Sequence, residues 1–212
     1  MSFVERLSQV HLDILKEVGN IGAGNAATAL SQLLNRTINL EIPTVQVATY
    51  DEMVELAGGS DHVVAAVYIR IEGEAPGNMF FVLPPEQVSY FVQLMTGDST
   101  ITFEEPPYSE MGISAFLEMG NILSGSYLSA LSDFTRLNLQ PSVPSASIDM
   151  AGAILTMGLI ELSQVSDHVI VIDTILEEEN SDRGKIRGHF FLLPDPDSFE
   201  KIFQALGVNV DE

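Results

Sequence analysis

A carboxylate and a carboxamide three positions apart occur twice in the chain, as Glu17 with Asn20 and as Glu118 with Asn121. Residues at this spacing lie one turn apart on the same side of an α-helix. A carboxylate accepts hydrogen bonds or pairs with a cation, and a carboxamide both donates and accepts. Each pair could therefore bind and orient a polar group of another molecule.

Each pair extends into a polar stripe that starts at Asp13 in the first copy and at Ser114 in the second. At 100° per residue, the three polar residues of a copy fall within about 60° of one another. We expect the apolar residues to gather on the opposite side of each helix: Ile14, Leu15, Val18 and Ile21 in the first, and Phe116, Met119, Ile122 and Leu123 in the second. The pattern predicts two amphipathic helices that present the same polar site.

The two pairs belong to an internal repeat. The sequence at residues 17–21 returns 101 residues later at 118–122, and at the same spacing Gly24 matches Gly125 and Pro43 matches Pro144. Residues 61–64 then align with 167–170, and residues 80–84 with 190–194, at spacings of 106 and 110. We predict one domain with pseudo-two-fold symmetry, made of homologous halves 1–97 and 108–212 joined by a linker near 98–107.

Each half reads as a long helix, an extended segment around a proline, a hairpin and a shorter helix. Residues 63–71 and 79–83 have the composition and length of strands. The segments after Pro84 and Pro194 begin with a proline signal for a helix and end near Gly97 and Gly207. Hairpin strands with helices packed on them predict an α+β fold, loosely α/β, with a mostly antiparallel sheet.

Three glycines, Gly19, Gly22 and Gly24, lie within about a turn and a half of the first helix. Each costs the helix roughly 1 kcal/mol relative to alanine. They could allow another molecule to approach closely, or they could let the helix pack tightly on its own sheet. The sequence leaves both explanations open.

Composition excludes several classes of function. Thirty acidic and nine basic residues in 212 give a net charge of −21, and no cluster of Lys or Arg could neutralise a nucleic acid backbone. Free phosphorylated small molecules would also be repelled, so phosphate chemistry would need a protein partner that brings its own cation. The absence of cysteine excludes disulfides and thiol nucleophiles.

Other features argue against targeting signals and other chemistries. No apolar run approaches the roughly 18 residues of a membrane span, and no leader-like segment begins the chain, so we expect a cytoplasmic protein without membrane insertion. The glycine-rich stretch 19–24 follows no strand and precedes no phosphate-binding Lys. The four histidines are not spaced like metal ligands. The sequence has no Trp and no cluster of aromatic residues of the kind that lines a sugar-binding cleft.

The polar stripe and its proline resemble the motif of the CheC family of chemotaxis phosphatases: Asp or Ser, three residues, Glu, two residues, Asn, twenty-two residues, Pro. Two sets of residues satisfy it in full: Asp13, Glu17, Asn20 and Pro43, and then Ser114, Glu118, Asn121 and Pro144. The resemblance covers essentially the whole chain, including its two-motif organisation.

The resemblance implies a substrate, the aspartyl phosphate of the response regulator CheY, and a magnesium ion held by the regulator, with no cofactor in this chain. It also implies that Asn20 and Asn121 place a water in line with the phosphorus. Glu17 and Glu118 would pair with a lysine beside the regulator's phosphorylation site and so direct the helix into the pocket.

The remaining motif residues carry weaker implications. Asp13 and Ser114 could touch the rim of the regulator, or they could simply belong to the helix surface. Pro43 and Pro144 are expected to be structural, each fixing the start of a strand.

The family also binds the receptor deamidase CheD. The second half has extra residues between Pro144 and Asp167, where residues 147–155 set Asp149 in an apolar run. This run predicts either a small docking helix for CheD or an ordinary buried helix.

The alternative function is a non-catalytic regulator-binding module, because the flagellar switch proteins FliM and FliY contain a middle domain similar to this fold. Such proteins usually carry an additional C-terminal domain and an N-terminal regulator-binding tail, and the FliM type tends to lose the Glu and Asn. Here both pairs are intact and no appendage is expected, which favours the phosphatase. The relative CheX is shorter and has one site.

Overall fold

The computed structural model describes residues 7–160, 168–179 and 185–207. These residues form two sets of elements in the same order, each a long helix, two short strands, a short helix, a hairpin and a final helix. The first set is α1 (Gln9–Leu34), β1 (Ile38–Glu41), β2 (Val45–Thr49), α2 (Tyr50–Leu56), β3 (Val63–Gly73), β4 (Gly77–Leu83) and α3 (Pro85–Thr96). The second is α4 (Glu110–Thr135), β5 (Leu139–Pro141), β6 (Ser145–Met150), α5 (Ala151–Ile160), β7 (His168–Glu178), β8 (Ile186–Pro194) and α6 (Pro196–Ala205).

The strands of the described chain form one antiparallel sheet in which the two halves interlock. Its order is β1-β7-β8-β4-β3-β5, with β2 also paired to β7 and β6 also paired to β3. The first short strands of each half therefore pair with the hairpin of the other half, and β4 and β8 meet in the centre. The α+β fold with a mostly antiparallel sheet is confirmed.

Helices cover both faces of the sheet. Apolar side chains of α1, α3, α4 and α6 pack on one face in the larger core, which includes Phe81, Phe116 and Phe190. The short helices α2 and α5 cover the opposite face over a smaller core around Phe80 and Phe191. The two long helices therefore lie side by side in one layer with their outer faces free of the sheet.

The two predicted strands of the first hairpin and the helices predicted after Pro84 and Pro194 agree with the structure. Strands β3 and β4 include the segments predicted from their valine and phenylalanine content, and β4 is buried along its whole length. Helix α3 starts at Pro85 and ends before Gly97, whose φ of 71° is left-handed; α6 starts at Pro196 and ends before Gly207. Proline at the start and glycine after the end set these helices as expected.

The alignment of the two hairpins at the sequence level was wrong by one residue. Val47 and Ile148, which are equivalent in the repeat, pair with Ile170 and Ala65 respectively, so Ala65 is equivalent to Ile170. The hairpin pairing then makes Leu83 equivalent to Leu192. In both strands of the hairpin, the equivalent residue in the second half lies one position earlier than the sequence alignment placed it. A one-residue shift would turn every side chain to the other face of the sheet, so the burial pattern fixes this register.

The prediction of a helix over residues 147–155 was also wrong at its start. Residues 147–149 lie in strand β6, where Ala146 and Ile148 are partly buried while Ser147 and Asp149 are exposed. Alternation with a period of two is the pattern of a strand with one covered face. Helix α5 begins only at Ala151, so Asp149 belongs to a sheet edge. The predicted insertion before Asp167 continues into residues 161–167, outside the described residues.

The segment between the halves packs against the core. It runs from α3 to α4, and it buries Ile101 and Phe103. The amide of Phe103 donates to the Oγ of Ser89 in α3, at 2.8 Å. Throughout the described ranges, no helix has the length and apolar character to cross a membrane.

Candidate functional site

The motif residues lie on α1 and α4, two helices of 26 residues each with matching ends. Ser8 and Ser109 are the N-cap residues, and the Oγ of Ser109 accepts a hydrogen bond from the amide of Gly112 at 2.8 Å. Asn35 and Arg136, which are equivalent in the repeat, end the helices in left-handed conformation with φ of 50° and 58°. Both polar stripes are thus carried by rigid elements of the same length and phase.

The two helices pack against each other and against the sheet. A Cβ added at Gly22 would lie 2.9 Å from the Cα of Tyr127, so α1 meets the backbone of α4 at this point. The buried sides include Leu15, Val18, Ala23 and Ala26 in α1, and Phe116, Met119, Leu123 and Leu131 in α4. This packing fixes which sides of the helices remain outward.

The stripe residues lie on the outward sides. Glu17, Glu118 and Asn121 are exposed, and Asn20 is partly buried. None of the four side chains makes a hydrogen bond or an ion pair within the described ranges. Their polar atoms are therefore available to a partner, and the asparagines are not locked inward.

The first residues of the stripes differ in their contacts. Asp13 is exposed and accepts a hydrogen bond from the Nε2 of Gln9 at 3.0 Å, within the same helix. Ser114 is exposed at the equivalent place. Both lie one turn before the glutamate on the same side, which is compatible with a rim contact and with a helix-surface role.

One residue assigned to the apolar side faces outward instead. Ile21 was expected to pack with Leu15 and Val18, but it is 46% exposed. Its position on the helix is only about 40° from that of Glu17, because four residues advance the direction by 400°. The outward face of α1 is therefore partly apolar beside the carboxylate.

The structure separates the helix glycines into two groups. A Cβ at Gly19 would lie 2.7 Å from the Cδ1 of Ile42, and one at Gly120 would lie 2.7 Å from both γ-carbons of Val67. These glycines and Gly22 are required by packing inside the chain. A Cβ at Gly24 or Gly125, by contrast, would meet no other atom of the described residues within 4 Å. Packing explains the first group and leaves the second unexplained.

The prolines of the motif lie before short strands. Pro43 precedes β2 by two residues, and Pro144 directly precedes β6. Helix α1 is also held at its C-terminal end, where Arg36 pairs with Glu178 of β7. A hydrogen bond from Tyr90 and then the contact with Arg36 lower the pKa of Glu178, so this carboxylate stays ionised and ties α1 and α3 to the sheet.

A surface depression of about 470 Å³ lies elsewhere, between β2 and α2. Its lining includes Asp51, Glu52 and Glu55 and contains none of the motif residues. Within the described ranges, no three His, Cys, Asp or Glu side chains are grouped so that they could hold a metal ion. The candidate site is therefore the pair of open helix faces, a geometry suited to insertion into a cleft of another protein.

Solved structures with this architecture define its class. FliY of Thermotoga maritima superposes with a TM-score of 0.76 at 23% identity, covering 95% of this chain and 98% of that one. The FliM middle domain of Helicobacter pylori superposes with a TM-score of 0.65 at 11% identity, covering 94% and 99%. The chain thus has the fold of the flagellar switch proteins FliY and FliM, here with an open Glu–Asn pair on each long helix.

Sequence comparison assigns the family. The CheC-like family matches twice, at residues 10–47 and 111–148, which span the two motif copies. Bacillus subtilis CheC, named a CheY-P phosphatase, is 46% identical over 210 residues, which cover 99% of this chain and all of that relative. The chain belongs to the CheC-like family, and the resemblance inferred from the motif is confirmed.

Proposed function

We propose that the chain hydrolyses the aspartyl phosphate of phosphorylated CheY, using the Glu–Asn pairs of α1 and α4 as two equivalent sites. The observation that carries the proposal is the duplication of a glutamate and an asparagine, with no side-chain partner among the described residues, on two outward helix faces. The relationship to a CheY-P phosphatase at 46% identity supports it. Because a response regulator of this kind works in the cytoplasm, we propose that the chain is cytoplasmic too.

In this mechanism the asparagines orient the attacking water. The Oδ1 of Asn20 or Asn121 accepts a hydrogen bond from a water, whose oxygen attacks the phosphorus as the bond to the aspartyl oxygen breaks. The products are the free aspartate and inorganic phosphate. An acyl phosphate is already activated, and the magnesium ion expected in the regulator would screen its charge, so positioning alone can raise the rate tenfold for each roughly 1.36 kcal/mol.

The glutamates dock the regulator in the same proposal. Glu17 and Glu118 are exposed one turn before each asparagine and have no cation of their own chain within pairing distance in the described residues. A lysine beside the regulator's phosphate would satisfy either carboxylate. The chain supplies no cofactor in this scheme, since two carboxamides and two carboxylates suffice to place a water.

The experiment is phosphate release from phosphorylated CheY with the Asn20→Ala and Asn121→Ala double variant. We expect the rate to fall to that of the regulator alone, while the variant unfolds at the wild-type temperature because both side chains lie outside the core. Asn25→Ala is the matched control, since Asn25 is an exposed asparagine of the same helix outside the stripe. A double variant that keeps wild-type stimulation would refute the mechanism.

A second candidate function is regulator binding without catalysis, which the fold shared with the FliM middle domain favours. The same assay separates the two, because a binding module would hold phosphorylated CheY while leaving its rate of phosphate loss unchanged. The two intact Glu–Asn pairs support the catalytic function over this one.

We also propose that CheD binds at the sheet edge that carries Asp149. Asp149 is exposed on β6, and its neighbour Met150 pairs across the strands with Val63. Met150 and Val63 are 48% and 44% exposed, so an acid lies beside an exposed apolar pair. Charge reversal by Asp149→Lys should abolish CheD binding in titration calorimetry, whereas Asp133→Lys, an exposed acid on α4, should not. Equal binding by both variants would remove the assignment.

A further inference from the structure

The exposed apolar residues of the motif helices recur in both halves. Val10 in α1 is 63% exposed, and Met111, its equivalent in α4, is 62% exposed. Ile21 is 46% exposed, whereas its equivalent Ile122 is only partly exposed and also packs against the larger core. An isolated exposed apolar residue is ordinary on a protein surface, but Val10 and Met111 are apolar and largely exposed at equivalent places on the same side as the Glu–Asn stripe, which indicates a use shared by the two sites.

These residues frame the glutamate of each site. Val10 precedes Glu17 by seven residues, about 10 Å along the helix axis, and Ile21 follows it by four, about 6 Å. Their directions lie within about 40° of that of Glu17. Met111 and Ile122 stand at the same spacings from the second glutamate. Each carboxylate is therefore bracketed along the helix by two apolar side chains.

The open glycines complete the same face. Gly24 and Gly125 follow the asparagines by four residues, and their helix positions lie on the stripe side. Within the part of the chain that the structure describes, nothing would contact a Cβ at either place, yet each glycine costs its helix about 1 kcal/mol relative to alanine. A bare backbone with no internal cause leaves room for an external surface to come close to the helix beside the asparagine.

Charge restricts what that surface can be. The face carries a carboxylate in a chain of net charge −21, so it favours a partner that presents a cation and disfavours a bare anion. The phosphorylated regulator of the proposed function meets this condition when its phosphate is accompanied by a lysine and a metal ion. Apolar contacts around the ion pair would exclude water from it.

We propose that each motif helix has an apolar seat for the regulator, formed by Val10, Ile21 and Gly24 in α1 and by Met111, Ile122 and Gly125 in α4. This inference rests on the proposed function and identifies residues that hold the partner without taking part in the reaction. The seat sets affinity, and the Glu–Asn pair sets the rate of the bound complex.

The test replaces the three well-exposed apolar side chains by serine: Val10→Ser, Ile21→Ser and Met111→Ser. We expect the KM for phosphorylated CheY to rise roughly tenfold, since two exposed apolar contacts are lost at the first site and one at the second. The kcat should stay within about twofold of wild type, because the Glu–Asn pairs are untouched. An unchanged KM with wild-type kcat would overturn the seat and leave the phosphatase function standing.

The control uses Leu33→Ser with Phe134→Ser. These residues are equivalent in the repeat and similarly exposed, at 49% and 51%, but they lie in the last turns of the helices, away from the Glu–Asn stripe. The KM of this control should equal that of wild type, and a rise as large as in the triple variant would overturn the proposal. Wild-type protein that neither binds nor dephosphorylates CheY would refute both proposals.

The glycines provide a second measurement, with the Gly24→Ala and Gly125→Ala double variant. We expect this protein to be more stable than wild type but to bind phosphorylated CheY more weakly, by about tenfold if the helix backbone is approached at both sites. Greater stability with wild-type affinity would show that the glycines have no part in the seat.

Discussion

Gly120 and Gly125 lie five residues apart in one helix and should respond in opposite ways to alanine. Replacement of either glycine raises helix propensity by about 1 kcal/mol. At Gly125 the added methyl group meets none of the other described residues, so the full gain should appear in the free energy of unfolding. At Gly120 it would lie 2.7 Å from both γ-carbons of Val67, which is 1% exposed in the central part of β3.

Such overpacking typically costs about 1 to 3 kcal/mol. The propensity gain is common to both variants and cancels when they are compared. The Gly125→Ala protein should therefore exceed the Gly120→Ala protein in unfolding free energy by about 1 to 3 kcal/mol. For a chain of this size, each 1 kcal/mol corresponds to a Tm difference of about 2–4 °C.

The assay is urea unfolding. Where the variants have the same slope of unfolding free energy against urea concentration, the difference between their midpoints reports the difference in stability. Gly24→Ala and Gly22→Ala provide the same comparison in α1, where the Cβ of the second variant would meet the Cα of Tyr127 at 2.9 Å. Equal stability of the alanine variants within each helix would refute the assignment of the glycines to packed and open groups.

Two further predictions concern the hydrogen-bonded contacts of Asp173 and Asp195. A hydrogen bond from His189 at 2.8 Å lowers the pKa of Asp173, and a hydrogen bond from Thr44 lowers it further, although burial raises it. The pair of Asp173 and His189 therefore stabilises the fold above about pH 4, and this contribution disappears as the pH falls through the lowered pKa. His189→Ala should flatten the acid side of a plot of unfolding free energy against pH, and a curve parallel to wild type would contradict this. Arg70 donates two hydrogen bonds of 2.5 and 2.8 Å to Asp195 at the start of α6. Arg70→Met should therefore lower the free energy of unfolding by about 1–3 kcal/mol, measured by thermal unfolding. An unchanged Tm would contradict this prediction.

Much of the fold follows from the sequence because the chain states its pattern twice. Identical residues at constant spacing reveal the two motif helices, and proline and glycine mark the ends of α3 and α6. The alignment of the two hairpins could not be decided from the sequence. Either Val64 or Ala65 could be the equivalent of Ile170, since the choice does not change the composition of either strand, and only the observed strand pairing distinguishes them.

Two local errors had signals that were available in the sequence. Helix α2 was missed although Thr49 and Glu52 form a capping box, in which each side chain hydrogen-bonds the other residue's backbone amide. Polar and apolar residues alternate from Ser145 to Asp149, which is typical of a strand. The helix was nevertheless predicted to begin at residue 147, because the apolar run after Ala151 was taken together with the residues before it. Tertiary pairing with β3 decided the conformation there.

At the site, the outward direction of the Glu–Asn pairs was predictable from helical periodicity, whereas the apolar part of the face was not recognised. Ile21 was assigned to the core from its residue type although its direction is close to that of Glu17. The repeat offered a further signal, because Val10 and Met111 stand at the same spacing as the glutamates. The distinction between packed and open glycines required the positions of Ile42, Val67 and the neighbouring helix.

The exchange of short strands between the halves has a consequence for how the molecule can be divided. A fragment that ended after α3 would keep β3 without its partners β5 and β6, and β4 without β8, leaving unsatisfied amides on both margins. Two copies of such a fragment could repair every margin by donating β1 and β2 to each other and joining their β4 strands around a true dyad. The single chain thus contains, fused head to tail, the architecture of a strand-swapped homodimer.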